Sequence, residues 1–255
     1  MSRLKLIGLV VACSTASCGG EGGSAGDDAG DPTVVTDVDD YIGTDADETI
    51  TGTEANDALV GGDGDDQING LAGDDMLFGG LGDQFTMATG KETGNDVLDG
   101  GEGNDQVVGE QGDDVLLGGP GDDLLSGSEG DDTVTGGPDS DSFIYLLVID
   151  EAGTWTSDET SGGNDTITDF EPGTDALIFL NRFNEAFTGP TRAEFEAAFN
   201  NAEAGFEVTV AGGALTMTFT GGDSLTLDGS FETAPTTLEE LETALGGPNA
   251  IVYGE

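Results

Sequence analysis

Acids recur in this chain at a spacing that suits a divalent cation. Glu48, Asp57, Asp66, Asp75, Asp96, Asp105, Asp114, Asp123, Asp132 and Asp141 each stand two residues before an apolar residue, and all but Asp96 stand five after a glycine. The clearest copies of the nine-residue unit read GGDGDDQIN (61–69), GLAGDDMLF (70–78), GGEGNDQVV (100–108), GGPGDDLLS (118–126) and GSEGDDTVT (127–135). Calcium takes six to eight oxygen ligands at about 2.3–2.6 Å, from carboxylates and carbonyls. One acid in a glycine-rich turn offers half such a shell, and a second turn stacked on it offers the rest. The chain has no histidine, so an imidazole base and a His-ligated zinc are both excluded.

The other half of the unit positions the turn. Counting from its glycine start, the acid is sixth, and the eighth residue is apolar in every copy: Ile50, Leu59, Ile68, Leu77, Leu98, Val107, Leu116, Leu125, Val134 and Phe143. Strand side chains alternate faces, so the eighth points inward and its neighbours outward. One buried residue per unit makes no core alone, but stacked copies make a continuous one, which is the logic of a solenoid. Glycine permits the left-handed turn and lets carbonyls approach an ion.

The pattern G-G-x-G-x-D-x-U-x resembles the RTX, or haemolysin-type, calcium-binding repeat. The resemblance implies an all-β fold: a parallel β-roll, a calcium-dependent solenoid in which two units complete a coil and several Ca2+ ions lie between same-side turns of successive coils. Asp105 would then face Asp123, Asp114 would face Asp132, Asp57 would face Asp75, and Asp123 would also face Asp141. The implied metal ligands are Asp57, Asp66, Asp75, Asp96, Asp105, Asp114, Asp123, Asp132 and Asp141, with carbonyls at the fourth-position Gly64, Gly73, Gly103, Gly112, Gly121 and Gly130. Two departures mark weak points. Glu48 replaces Asp in a copy without the double glycine. The stretch 82–93 (GDQFTMATGKET) interrupts one unit and is expected to disturb sites beside Asp75 and Asp96.

Composition supports the same reading. Asp+Glu number 53 against Lys+Arg 5, a net charge of -48. Self-repulsion on this scale opposes compaction, and with few aromatics it would signal disorder unless a cation neutralises the carboxylates. Nucleic acid is excluded as a partner, since phosphate contacts need Lys and Arg.

The N-terminus carries Arg3 and Lys5, an apolar LIGLVVA, and small residues around Cys13 and Cys18. This apolar run is far short of the ~20 residues a bilayer needs, and it reads as an export signal. It resembles a bacterial lipoprotein signal, which implies lipidation at Cys18, with Cys13 the alternative, and an ordinary secretory signal remains open. Cleavage before Cys18 would leave a charge of about −50. Residues 19–32, mostly Gly, Ser, Ala and Asp, read as a flexible tether.

After Phe143 glycine thins. Strand-like runs appear at 143–149, 165–170, 175–179, 206–210, 214–220 and 224–229, with helices expected at 191–204 and 236–245, each opened by a capping threonine. This tail resembles the module that closes the β-roll in serralysin-type proteases, where D-x-I-x-D-F matches Asp165, Ile167, Asp169 and Phe170. An open solenoid end exposes strand edges that need a cover. The expected order is signal (1–18), tether (19–32), β-roll (33–145) and a small β-rich capping module with short helices (146–255). The serralysin H-E-x-x-H zinc motif is absent, since the sequence has no histidine. The expectation is a non-enzymatic calcium-binding protein, extracellular or on the outer surface of a bacterium and lipid-anchored there, with a structural or adhesive role. The alternative is a secreted carbohydrate-active or other hydrolase with its site in the C-terminal module.

Overall fold

The computed structural model describes residues 33–36, 40–80, 94–149, 155–156, 163–181, 190–199, 205–220 and 222–253. The signal, the tether, Cys13, Cys18 and the insertion 82–93 lie outside them. Each nonapeptide contributes one strand, and successive units alternate between two parallel sheets.

The first sheet runs in the order β1 (Thr33–Thr36), β3 (Glu48–Thr51), β5 (Gln67–Ala72), β7 (Val97–Glu102), β9 (Val115–Leu117), β11 (Thr133–Thr135), β14 (Asn164–Ile167), β18 (Ser224–Leu227), β17 (Ala214–Phe219), β16 (Phe206–Ala211). The second runs β2 (Asp40–Ile42), β4 (Ala58–Val60), β6 (Met76–Phe78), β8 (Gln106–Gln111), β10 (Leu124–Glu129), β12 (Ser142–Ile149), β15 (Ala176–Asn181), β19 (Ile251–Val252), with β13 (Trp155–Thr156) antiparallel to β12.

Register follows the eighth position. Ile50, Ile68, Leu98, Leu116, Val134, Ile167 and Leu227 pair in turn along one sheet. Leu59, Leu77, Val107, Leu125, Phe143, Leu177 and Ile251 do so along the other. All are buried. A one-residue slip would turn every one of them outward, so the pattern fixes the pairing.

Neither sheet breaks at the expected boundary between 145 and 146. Parallel pairing runs on through β14, β18, β15 and β19, while β17 and β16 turn back antiparallel at the end of the first sheet. Beyond Phe143 the core widens and turns aromatic: Tyr145 stacks on Phe219 at 5.0 Å, and Phe195 meets both Phe179 and Phe206 at 5.1 Å.

The helices Arg192–Phe199 and Leu238–Ala244 fall inside the expected spans. Thr191 and Glu194 form a reciprocal capping box, and Thr237 caps the second helix by accepting from the Glu240 N–H. Glu242 joins the second helix to the first through Arg192 and accepts from the Tyr253 hydroxyl.

Candidate metal centre

The strand ladders stop where the turns begin, so the turn amides need other acceptors. Side chains supply them in two rows per coil edge. In the inner row, the N–H of each sixth-position acid donates to Oδ1 of the acid one coil on. One edge reads Glu48 to Asp66, Asp66 to Asp96, Asp96 to Asp114 and Asp114 to Asp132, at 2.7–2.9 Å. The other reads Asp57 to Asp75, Asp75 to Asp105, Asp105 to Asp123 and Asp123 to Asp141, at 2.8–3.0 Å. The four expected pairs are therefore neighbours. The insertion leaves the flanking ladder intact, because Asp66 reaches Asp96 and Asp75 reaches Asp105 with ordinary bonds and Ile68 still pairs with Leu98.

The outer row occupies the fifth position and runs the other way. Asp65 Oδ1 accepts from the Asn95 N–H, Asn95 Oδ1 from Asp113, and Asp113 Oδ1 from Asp131. On the opposite edge Asp74, Asn104 and Asp122 accept in the same way from Asn104, Asp122 and Ser140. Sequence reasoning missed this row. Its signal is the Asp or Asn that precedes nearly every sixth-position acid.

Two acids beyond the array also extend the inner row. The Asp132 N–H donates to Asp165 Oδ1 and the Asp141 N–H to Asp175 Oδ1, both at 3.1 Å. The signals were present in GNDTIT (163–168) and GTDALI (173–178), degenerate copies of the fourth to ninth positions. Asp169 ends one edge by accepting from the N–H groups of Gly136 and Gly137.

The second carboxylate oxygen separates two kinds of turn. In the open kind, Oδ2 of Asp66, Asp75, Asp105, Asp114, Asp123, Asp132 and Asp141 is buried without a hydrogen-bond partner. A methyl on Gly61 would lie 2.2 Å from Asp66 Oδ2 and 2.5 Å from the Gly79 carbonyl, and one on Gly118 would lie 2.3 Å from Asp123 Oδ2 and 2.6 Å from the Gly136 carbonyl. A carboxylate oxygen and a carbonyl from the next coil thus converge where only glycine leaves room. Fourth-position carbonyls also point along the stack: a methyl on Gly103 would sit 1.5 Å from the Gly73 oxygen, and one on Gly121 1.6 Å from that of Gly103. Gly64, Gly73, Gly103, Gly112, Gly121 and Gly130 all have positive φ.

In the closed kind the carboxylate is served from within its own turn. The Thr44 N–H and hydroxyl donate to Glu48, the Thr53 N–H (2.6 Å) and hydroxyl to Asp57, and the Glu171 N–H to Asp175 Oδ2 at 2.7 Å. The donor is always the second position. In open turns that residue is left-handed, glycine or not: φ is 116° at Gly62, 83° at Leu71, 104° at Gly101, 77° at Glu110, 106° at Gly119, 83° at Ser128 and 109° at Gly137. Its N–H then turns away; those of Gly62, Gly101 and Gly119 meet next-coil carbonyls at 2.9–3.0 Å.

Burial, with neighbouring carboxylates adding to it, pushes the sixth-position acids from Asp66 to Asp141 above the usual range, against the lowering effect of the N–H bond. Asp105 rises to about 6, Asp66, Asp96, Asp114, Asp123 and Asp141 to about 7, and Asp132 to about 8. A stacked column of this kind resists ionisation unless a cation sits beside it. Among the described residues no three His, Cys, Asp or Glu side chains gather tightly enough to hold a metal alone. A cation in the turns must draw on backbone carbonyls.

Residues 51–83, 92–116 and 108–143 match the family model of the RTX calcium-binding nonapeptide repeat. The array is an RTX repeat. It forms a calcium-binding β-roll. Among solved structures, the chain is similar to the AlgE6R3 subunit of the Azotobacter vinelandii mannuronan C5-epimerase, with 20% identity, 83% of this chain and 81% of that one covered, and a TM-score of 0.30. It is also similar to the extracellular lipase LipA of Serratia marcescens, with 16% identity, 82% of this chain and 40% of that one covered, and a TM-score of 0.28. No curated protein matches the sequence.

Proposed function

We propose that this RTX chain is an exported, non-enzymatic surface protein, lipid-tethered through Cys18, whose roll folds when calcium enters the open turns. The seven buried, partnerless Oδ2 atoms carry this reading. Leaving a buried acceptor unpaired costs ~1–3 kcal/mol, and more when it is charged. A row of them is stable at neutral pH only beside cations. The ligands in this reading are Asp66, Asp75, Asp96, Asp105, Asp114, Asp123, Asp132 and Asp141, with carbonyls at Gly64, Gly73, Gly103, Gly112, Gly121 and Gly130. Asp57, served by Thr53, stands at the closed end of its row and drops out of the ligand set.

Binding free energy then becomes folding free energy. In a calcium-poor cytoplasm the polyanion stays unfolded, which suits export, and calcium outside the cell closes the roll. A roll held off the membrane by the 19–32 tether suits a structural or adhesive role.

Circular dichroism during a calcium titration tests the coupling. The expected result is a coil-like spectrum in chelator and cooperative gain of β-structure with calcium. A spectrum that is folded and indifferent to chelator would remove it. Incorporation of a lipid precursor, lost in Cys18→Ala, tests the anchor; unchanged incorporation moves it to Cys13, and none in the parent removes it.

A further inference from the structure

Each fourth-position carbonyl shares a peptide unit with the fifth-position N–H that follows it. A peptide unit is planar and, when trans, points its N–H and its C=O in opposite directions; no described peptide bond is cis. The outer row therefore bears on where the carbonyl points. The Asp131 N–H reaches back one coil to Asp113 Oδ1 at 3.0 Å, and the Gly130 carbonyl faces forward, where a methyl on Gly163 would collide with it. On the other edge the Asn104 N–H reaches back to Asp74 Oδ1 at 3.0 Å, and the Gly103 carbonyl faces forward onto Gly121.

A separate observation ties this bond to the open turns. In all seven turns with a buried, partnerless Oδ2, the fifth-position N–H donates back to an outer-row Oδ1. The sealed turns do not share it. Those of Glu48 and Asp57 begin the two rows, and no described residue behind them supplies such an acceptor. That of Asp175 follows Ser140, whose hydroxyl donates to the Thr174 carbonyl instead of accepting. The Thr174 N–H turns to the Glu171 carbonyl at 3.1 Å.

We propose that the fifth-position Asp or Asn is a positioning residue for the cation. Its Oδ1 holds the peptide one coil on, and so aims the fourth-position carbonyl of that coil along the stack of open turns. It acts as an acceptor and not as a charge, since Asn95 and Asn104 accept the same bond as Asp113. This rests on the calcium reading of the array and adds a direction to it: each open turn is prepared by the coil behind it.

Carbonyl 13C NMR of the full chain, followed as strontium replaces calcium in the folded roll, tests it. In the parent the Gly112 and Gly130 carbonyls should shift and that of Gly173, next to Thr174, should not. An equal shift at Gly173 overturns the proposal. Asp113→Ala should lose the shift at Gly130, one coil on, and keep that at Gly112, whose peptide Asn95 still holds. Asp113→Asn keeps the acceptor and should retain both shifts. A parental Gly130 shift in Asp113→Ala overturns the positioning role, as does a loss confined to Gly112. Loss at Gly130 in Asp113→Asn as well would make charge the agent and overturn it too. Should Asp113→Ala not fold with calcium, the parent comparison at Gly173 decides. A parent that takes up no calcium at all sinks the wider reading instead, so the two failures are distinct.

Discussion

The turns at Thr44 and Thr53 and the turns from Gly62 onward are built from the same nine-residue word, yet they treat the carboxylate in opposite ways. In the first two, a threonine at the second position donates its N–H and hydroxyl to the acid four residues on. In the later ones the second residue goes left-handed and leaves one oxygen without a donor. One peptide orientation therefore decides whether an acid is sealed by its own turn or left for an external cation. Leu71, Glu110 and Ser128 adopt the left-handed form despite a side chain. That conformation costs a non-glycine residue ~1–2 kcal/mol, so something other than local preference holds it there, and the stacked ladder is the evident agent. The Asp175 turn returns to the sealed form, so that row is closed at both ends and open between.

The largest test of this contrast is pH with and without calcium. In the folded, metal-free roll burial raises the open-turn acids, from about 6 at Asp105 to about 8 at Asp132, against about 4 for an ordinary aspartate. Between these limits the folded state holds protons that the unfolded chain has released. Stability of the metal-free roll is therefore full below about pH 4, falls as pH rises through 6 to 8, and falls no further once both states are ionised. Calcium binds the ionised carboxylates and not the protonated acids, so the loaded roll behaves oppositely and sheds ions as pH drops through that window. Circular dichroism in chelator should show β-structure gained on acidification, while calcium affinity measured in parallel weakens. A chelated chain whose spectrum is flat across pH 4–8 would contradict the buried-column argument.

Next in size is the pair Asp123→Ala and Asp57→Ala. Asp123 accepts from the Asp105 N–H and donates its own N–H to Asp141 Oδ1, so its loss strips an acceptor from one coil and a ligand from the ions on either side. The metal-free cost is ~1–3 kcal/mol for the stranded Asp105 amide, and the calcium midpoint should move to markedly higher concentration. Asp57→Ala breaks bonds to Thr53 alone on its donor side and should leave stoichiometry unchanged. Equal effects on calcium uptake would erase the distinction between turn types.

Much of this was legible in the residues, and what was not has a physical reason. The eighth-position column from Ile50 to Phe143 predicts one strand per unit and a continuous stacked core. The two-sheet coil, and with it the pairing of sixth-position acids two units apart, followed from the RTX resemblance. The sealing role of Thr44 and Thr53 was not legible, since a hydroxyl at the second position looks like any turn residue until the peptide orientation is known. Asp165 and Asp175 were hidden by spacings of 33 and 34 residues from their partners, where the array uses 18; period search fails once loops of unequal length intervene. Across the 82–93 insertion the strand pairing and the inner ladder keep their register, from Ile68 to Leu98 and from Asp66 to Asp96.

Thr53→Gly sharpens the contrast at a smaller scale. It removes the hydroxyl from Asp57 and frees the second position to go left-handed, which glycine does at little cost. The expected outcome is a slightly less stable metal-free roll and one additional bound calcium per chain, read by equilibrium dialysis. Lower stability with unchanged uptake would mean that the threonine is only a staple and that the orientation of the second peptide does not gate the ion.

The smallest effect, and the most local, is at Leu71. It holds φ 83° beside its register partner Gly101, and the ladder rather than the side chain demands that geometry. Leu71→Gly should therefore stabilise the calcium-loaded roll by ~1 kcal/mol through relief of backbone strain, partly offset by the greater freedom of glycine in the unfolded chain. Gly101→Ala makes the opposite case, since its methyl would sit 2.0 Å from the Leu71 carbonyl at φ 104°. Calcium-saturated thermal melts of the two variants should move in opposite directions. A melt lowered by Leu71→Gly would show that the leucine side chain contributes more on the outer face than its backbone loses, and the strained second position would then be a packing choice rather than a requirement of the open turn.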